Sequence, residues 1–167
     1  NVGERYTITA TAKPGFVFSG WTANSFSGTG VTAAASELPT LSFLMQPGLS
    51  LTANFIANPF TPVVIGTFNG LVTPQSGTAA RVDTVGLFQN VRVTSTGTFT
   101  STLKIDGASL PVNGIFHPTS GDTRFGTTRS PELVIVRAGK PSLVIELRLG
   151  FGSGNTITGT VKQRFRG

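Results

Sequence analysis

The segment TFTSTLKIDG, residues 98–107, alternates in side-chain character with a period of two and ends on an Asp-Gly pair. Phe99, Ser101, Leu103 and Ile105 fall on one face, and Thr98, Thr100, Thr102 and Lys104 on the other. That is the pattern of a strand wet on one side. Asp106-Gly107 marks a two-residue hairpin, because both central residues of such a turn need φ > 0. Alternation of this kind, broken by Gly, Pro, Asn and Ser, recurs along most of the chain and leaves almost no helical period. The best helical candidate, TAAASEL at 32–38, is stopped by Pro39 after one or two turns at most.

Strands are therefore expected near 5–12, 17–22, 40–45 and 49–56, with KPG at 13–15 and QPG at 46–48 as turns. ANPFTP at 57–62 carries two prolines, which cannot donate to a central ladder, and marks a boundary between domains at 1–57 and 58–167. Beyond it a meander is expected, with strands near 63–72, 82–95, 97–105, 108–116, 132–138, 142–149 and 156–165. In the second-last, Leu143, Ile145, Leu147 and Leu149 point inward and Glu146 and Arg148 outward, with Arg137 across the hairpin as a partner for Glu146. In the last, Ile157, Val161 and Phe165 point inward, and Thr160, Lys162 and Arg164 outward. Hairpins in sequence without crossover helices predict an all-β fold, an antiparallel barrel or sandwich. Pairing of first strand on last would also remove exposed edges.

Composition narrows the setting. With 38% hydrophobic and 12% charged residues, the chain is not of the disordered class. Its 21 glycines have no period of three, which excludes collagen. No apolar run approaches the ~18 residues of a membrane-spanning helix. The absence of cysteine removes disulfides and thiolate metal sites. The chain opens on Asn1 with no leader pattern, as a processed product or a piece of something longer would. A net charge of +6 arises from 13 basic and 7 acidic residues, and the basic ones are dispersed except in VKQRFRG. Nucleic acid is accordingly not expected as the partner, while an anionic polysaccharide would exploit the same charge.

The segments YTITATAKPGFVFSGW at 6–21 and LTANF at 51–55 resemble the divergent InlB B-repeat family over residues ~3–56. The family pattern is an alternating strand ending in Thr-Ala, a Pro-Gly turn, an aromatic-x-Phe-x-x-Trp strand, and a final strand ending in Ala-x-Phe. Its upstream Gly- and Val-containing strand has no counterpart, so the copy is N-terminally truncated or completed from outside this chain. The resemblance implies a small β-grasp-like module, extracellular placement and a spacer role, with no catalytic residues to transfer. The rest is similar, mostly in composition, to Gly- and Thr-rich β modules of large exported bacterial proteins. Within the repeat, Phe16, Phe18, Trp21 and Phe55 are expected as core. Trp21 falls out of phase with the phenylalanines unless Gly20 sits in a bulge.

Candidates for chemistry are few. His117, the sole histidine, precedes a proline in a loop and lies near no nucleophile-elbow serine. The seven acidic residues are scattered, which disfavours a carboxylate pair, and no calcium-loop pattern is present. The glycines of GFGSGN lack the lysine and helix of a phosphate cradle. The loop from Pro118 to Pro131 groups Arg124, Phe125 and Arg129, a combination suited to anionic or sugar ligands by charge and stacking. With Lys162 and Arg164, these are the candidate contacts; no cofactor, metal or catalytic residue is expected. The leading expectation is a non-enzymatic structural, adhesive or assembly module of a larger extracellular bacterial surface protein. Its partners would be other copies or neighbouring domains. The alternative is a carbohydrate-binding module attached to a larger secreted protein.

Overall fold

The computed structural model describes residues 1–24, 36–152 and 155–165. Among them every regular element is a strand, and every pairing is antiparallel. The chain divides into two compact units, Asn1–Asn58 and Pro59–Gly167.

The first unit holds β1 (Arg5–Thr9), β2 (Phe16–Asn24), β3 (Thr40–Leu44) and β4 (Ser50–Ala57), paired β1–β3 and β2–β4. The KPG segment closes a turn in which the Phe16 N–H donates to the Lys13 carbonyl at 3.0 Å. On one face of the β1–β3 ladder the hydroxyls of Thr7 and Ser42 meet at 2.8 Å, and those of Thr9 and Thr40 at 3.1 Å. On the other face Tyr6 stacks on Phe43. The ladder of β2 with β4 slips between Phe18 and Gly20, and Gly20 takes φ 142°. This is the bulge that the spacing of Phe18 and Trp21 requires, and it turns both rings to one side. Of the short helical candidate, residues 32–35 lie outside the described residues. Ser36 is extended, its carbonyl accepting from the Trp21 N–H at 2.9 Å.

The second unit opens with Pro59–Ile65, which buries Phe60 and Val64. A meander follows: β5 (Gly66–Val72), β6 (Gly86–Val93), β7 (Thr98–Ile105), β8 (Ala108–Phe116) and the two-residue β9 (Thr123–Arg124), adjacent in that order in a sheet curled as a half-barrel. A three-stranded sheet of β10 (Leu133–Arg137), β11 (Lys140–Leu149) and β12 (Ile157–Arg164) completes the unit. Asp106 and Gly107 form the β7–β8 turn with φ of 55° and 73°, as the Asp-Gly pair predicts. The core lies between the sheets. Phe88, Val91, Phe99, Leu103 and Phe116 are buried from one side, and Leu143, Ile145, Leu147 and Leu149 from the other. Phe99 and Phe116 stack with centroids 4.7 Å apart. Phe165, expected inward, is 74% exposed because β12 ends at Arg164 and offers it no further rung.

Among the described residues, backbone pairing joins the two sheets along one edge. The backbones of Asp122 and Arg148 form an antiparallel bridge, the Leu149 N–H donates to the Gly121 carbonyl at 2.9 Å, and the Leu147 N–H donates to the Thr123 hydroxyl at 3.1 Å. Along the other edge β5 and β12 approach one another, yet neither is the other's ladder partner.

Candidate functional site

At the open edge the second unit's interior meets a concave surface. A cavity of about 710 Å³ lies between β5 and β12, with Phe68, Phe88, Val91, Leu147, Ile157 and Val161 among its lining residues. Its origin is local. Residues directly opposite in an antiparallel pair project to the same face. Gly70 is opposite buried Phe88, and Gly159 is opposite buried Leu147. Both edge strands thus place a glycine at an inward position, and at Gly70 the missing side chain leaves open space. The two glycines differ, however. A Cβ on Gly70 would meet no heavy atom within 4 Å, whereas one on Gly159 would run into the Glu146 carbonyl and the Leu147 side chain.

Among the described residues, Lys162 is the one charged residue lining the cavity. Its ammonium pairs with Glu146 at 3.1 Å, and the Thr160 hydroxyl donates to the same carboxylate oxygen at 2.9 Å. The hydrogen bond from Lys162, followed by that from Thr160, holds the Glu146 carboxyl below the ordinary glutamate range. Arg164 pairs with Glu132 at 3.1 Å. These basic side chains on β12 remain more than half exposed, Lys162 paired with Glu146 on the neighbouring strand and Arg164 with Glu132 just ahead of β10. The partner expected for Glu146 is corrected. Arg137 turns instead to Asp106 at 3.1 Å, joined there by Lys140 at 2.7 Å. The Lys140 hydrogen bond is the largest cause of the depressed Asp106 carboxyl, with both cations adding to it by charge.

The Arg124–Phe125–Arg129 grouping does not form a surface site. Phe125 is 2% exposed and packs edge-on against Phe99, with centroids 6.2 Å apart. The loop that carries it is not a solvated excursion, because β9 adds to the edge of β8 and its alternation sends Thr123 and Phe125 into the core. Arg124 donates to the Thr123 carbonyl, and Arg129 sits in the left-handed region at φ 56° in the tight turn beyond. The His117 Nδ1 accepts from the backbone N–H groups of Thr119 and Ser120, a loop-closing role. Among the described residues no three His, Asp or Glu side chains are grouped to hold a metal ion.

In the first unit Trp21 is buried, and its ring N–H reaches the carbonyls of Leu38 and Pro39 at 3.1 and 3.2 Å. Phe18 is half-buried and lies against both Trp21 and Phe55. Phe16 is 51% exposed and Phe55 38%, so their core assignment is corrected. Phe16 occupies the terminal rung, opposite Ala57, where no further strand covers it. So small a unit has too little interior to enclose every ring. The cavity between β5 and β12 was missed from sequence. Its signal is the interior glycine in each of GTFNGLV and ITGTVKQR, since glycine inside a strand marks a missing side chain or a close approach.

The molecule is thus an all-β protein of two units, and its clearest concave surface is an unpaired seam. Residues 1–59 match the family model of the divergent InlB B-repeat domain. A B-repeat domain is typical of bacterial surface proteins. No curated protein and no solved structure matches the chain. No helix among the described residues is long and apolar enough to cross a membrane.

Proposed function

We propose that the chain is a non-enzymatic structural and assembly segment of a larger extracellular bacterial surface protein. In this reading the first unit serves as spacer and the second as the unit that engages neighbours. The observation that carries it is the B-repeat match over residues 1–59. The unpaired edges of β5 and β12 in the second unit support the assembly role, because free edges are templates for pairing with another chain. The carbohydrate-binding alternative draws little support, since the aromatic residue of its proposed contact loop is buried.

Antibodies raised against the chain should label intact cells of the source organism, and mild surface proteolysis of those cells should remove the label. Labelling seen only after lysis would refute the extracellular reading. Saturable binding of the isolated chain to a polysaccharide panel would replace assembly with the carbohydrate-binding alternative.

A further inference from the structure

We infer that the outer face of the β5–β8 sheet docks an acidic protein partner. The inference rests on the assembly reading and names the kind of neighbour that the second unit engages. Its first support is where the charge lies. Eleven of the 13 basic residues and five of the seven acidic ones fall in Pro59–Gly167, so the whole surplus of +6 belongs to the second unit. Each of those five acids is already in an ion pair with a neighbouring cation. Among the described residues no acid pairs with Arg92 or Lys104, and both are exposed.

Arg92 on β6 and Lys104 on β7 project to the same side of that sheet. Lys104 is opposite Leu87 and Arg92 is opposite Thr100, while Phe88, Val91, Phe99 and Leu103 turn into the core. Thr100 and Lys104 are four residues apart on one strand. At about 3.3 Å per residue the two cations therefore stand roughly 13 Å apart along the strands and one strand spacing across. The four strands contain no acidic residue at all. Leu71 on β5 is opposite Leu87 and is 79% exposed, so one rung runs from an uncovered leucine to an unpaired ammonium. That combination separates the classes of partner. Single-stranded nucleic acid calls for aromatic rings to stack on, and the outward positions of these strands carry none. A duplex, with its dense phosphate charge, calls for cations set more closely than these. An acidic polysaccharide pairs with the cations but has no apolar side chain to cover Leu71. A protein surface supplies both, carboxylates for Arg92 and Lys104 and an apolar side chain for the leucine. The partner is not a second copy, because the acids of its second unit are engaged in the same way and surfaces of one sign repel.

Panning a displayed library of random twelve-residue peptides against the isolated chain tests this directly. The expected result is enrichment of sequences that hold two or more acidic residues together with an apolar one. Arg92→Gln combined with Lys104→Gln should weaken the enriched peptides by at least about tenfold, and Leu71→Ser by about threefold or more. All three side chains are exposed, so the melting transition should stay in place. Arg92→Lys with Lys104→Arg keeps both charges and should retain binding. Arg148→Gln with Arg164→Gln lowers the net charge equally at other places and should leave affinity within about twofold. Should the first pair of substitutions fold poorly, salt provides the second reading. Raising ionic strength from about 0.05 to 0.5 M should weaken binding to the unaltered chain by about tenfold. The inference is overturned by the absence of acidic peptides, by peptides that bind the Arg92 and Lys104 double variant or Leu71→Ser as tightly as the parent, or by affinity indifferent to salt. An equal loss in the Arg148 and Arg164 double variant overturns it too, since net charge alone then explains the binding. It is also overturned if no peptide binds while vesicles of equal parts phosphatidylcholine and phosphatidylglycerol, polygalacturonate or duplex DNA bind through Arg92 and Lys104, since each defines another class of partner. None of these failures touches surface placement, which the labelling of intact cells decides separately.

Discussion

Replacing Phe125 by alanine separates a core residue from a ligand contact. The ring is 2% exposed and lies 6.2 Å from Phe99, edge to face. Truncating a buried Phe to Ala costs about 3–5 kcal/mol, through lost transfer energy and the hole left behind. Phe125→Leu keeps most of the apolar volume and should cost about 1–2 kcal/mol. In a domain of about a hundred residues each kcal/mol lowers the melting temperature by roughly 4–8 °C. The leucine variant is thus measurable, and the alanine variant comes close to unfolding the second unit.

The chain supplies its own control for that measurement. Its only tryptophan and only tyrosine, Trp21 and Tyr6, both belong to the first unit. Urea titrations followed by tryptophan emission therefore report on the first unit, and far-ultraviolet circular dichroism reports on both. Phe125→Ala should move the major dichroism transition to lower urea, with Phe125→Leu between it and the parent. An unchanged dichroism midpoint in Phe125→Ala would refute the placement of this ring in the core.

Further perturbations test other joints of the fold. Thr123→Val keeps the shape of a buried side chain but leaves the Leu147 N–H without its acceptor; it should cost about 1–3 kcal/mol, read by urea denaturation, with Thr123→Ser milder. Gly70→Ala should be neutral or stabilise by about 0.4–1 kcal/mol through the unfolded chain. Gly159→Ala, which drives a methyl into the Glu146 carbonyl, should cost about 1–3 kcal/mol, so thermal melts of the pair separate open space from close approach. Asp106 titrates lower in the folded chain than in the unfolded one. Its contribution is fully present above the unfolded value of about 3.9 and is lost as pH falls through the lower folded value. Melts from pH 7 to pH 3 should show Asp106→Asn less stable at neutrality, with the gap closing in acid; asparagine keeps the turn geometry, so a gap constant with pH would refute the charge argument. Lys162→Ala removes an exposed pair and should cost no more than about 1 kcal/mol by the same melts.

The parts of the fold legible from sequence are those set by neighbours along the chain. Alternation in TFTSTLKI placed Phe99, Leu103 and Ile105 inward, and the structure buries all three. Asp-Gly placed a turn, and the phase of Phe18 against Trp21 demanded the bulge at Gly20. The parts that were not legible depend on which strand lies beside which. Nothing local to PTSGDTRFGTTRSP says that Thr123 and Arg124 will join the edge of β8, so Phe125 resembled an exposed ring. The partner of Glu146 was read from the β10–β11 hairpin, but β12 on the other side offers Lys162 at closer register. The cavity escaped notice for the same reason, because Gly70 and Gly159 are 89 residues apart and acquire meaning only when their strands face each other.

The Asp106–Gly107 turn also bears on how the protein ages. In a mobile chain the glycine nitrogen following an aspartate can attack the side-chain carboxyl, expel water and close a succinimide ring, which reopens largely to isoaspartate. Ring closure needs a protonated carboxyl and freedom to swing it toward that nitrogen. Here the carboxylate is kept ionised and tethered by Lys140 and Arg137, at 2.7 and 3.1 Å, while the turn is set at φ of 55° and 73°. The folded protein shields the linkage that its unfolded form exposes. Any isoaspartate found at position 106 would therefore record the time a molecule has spent with that turn undone.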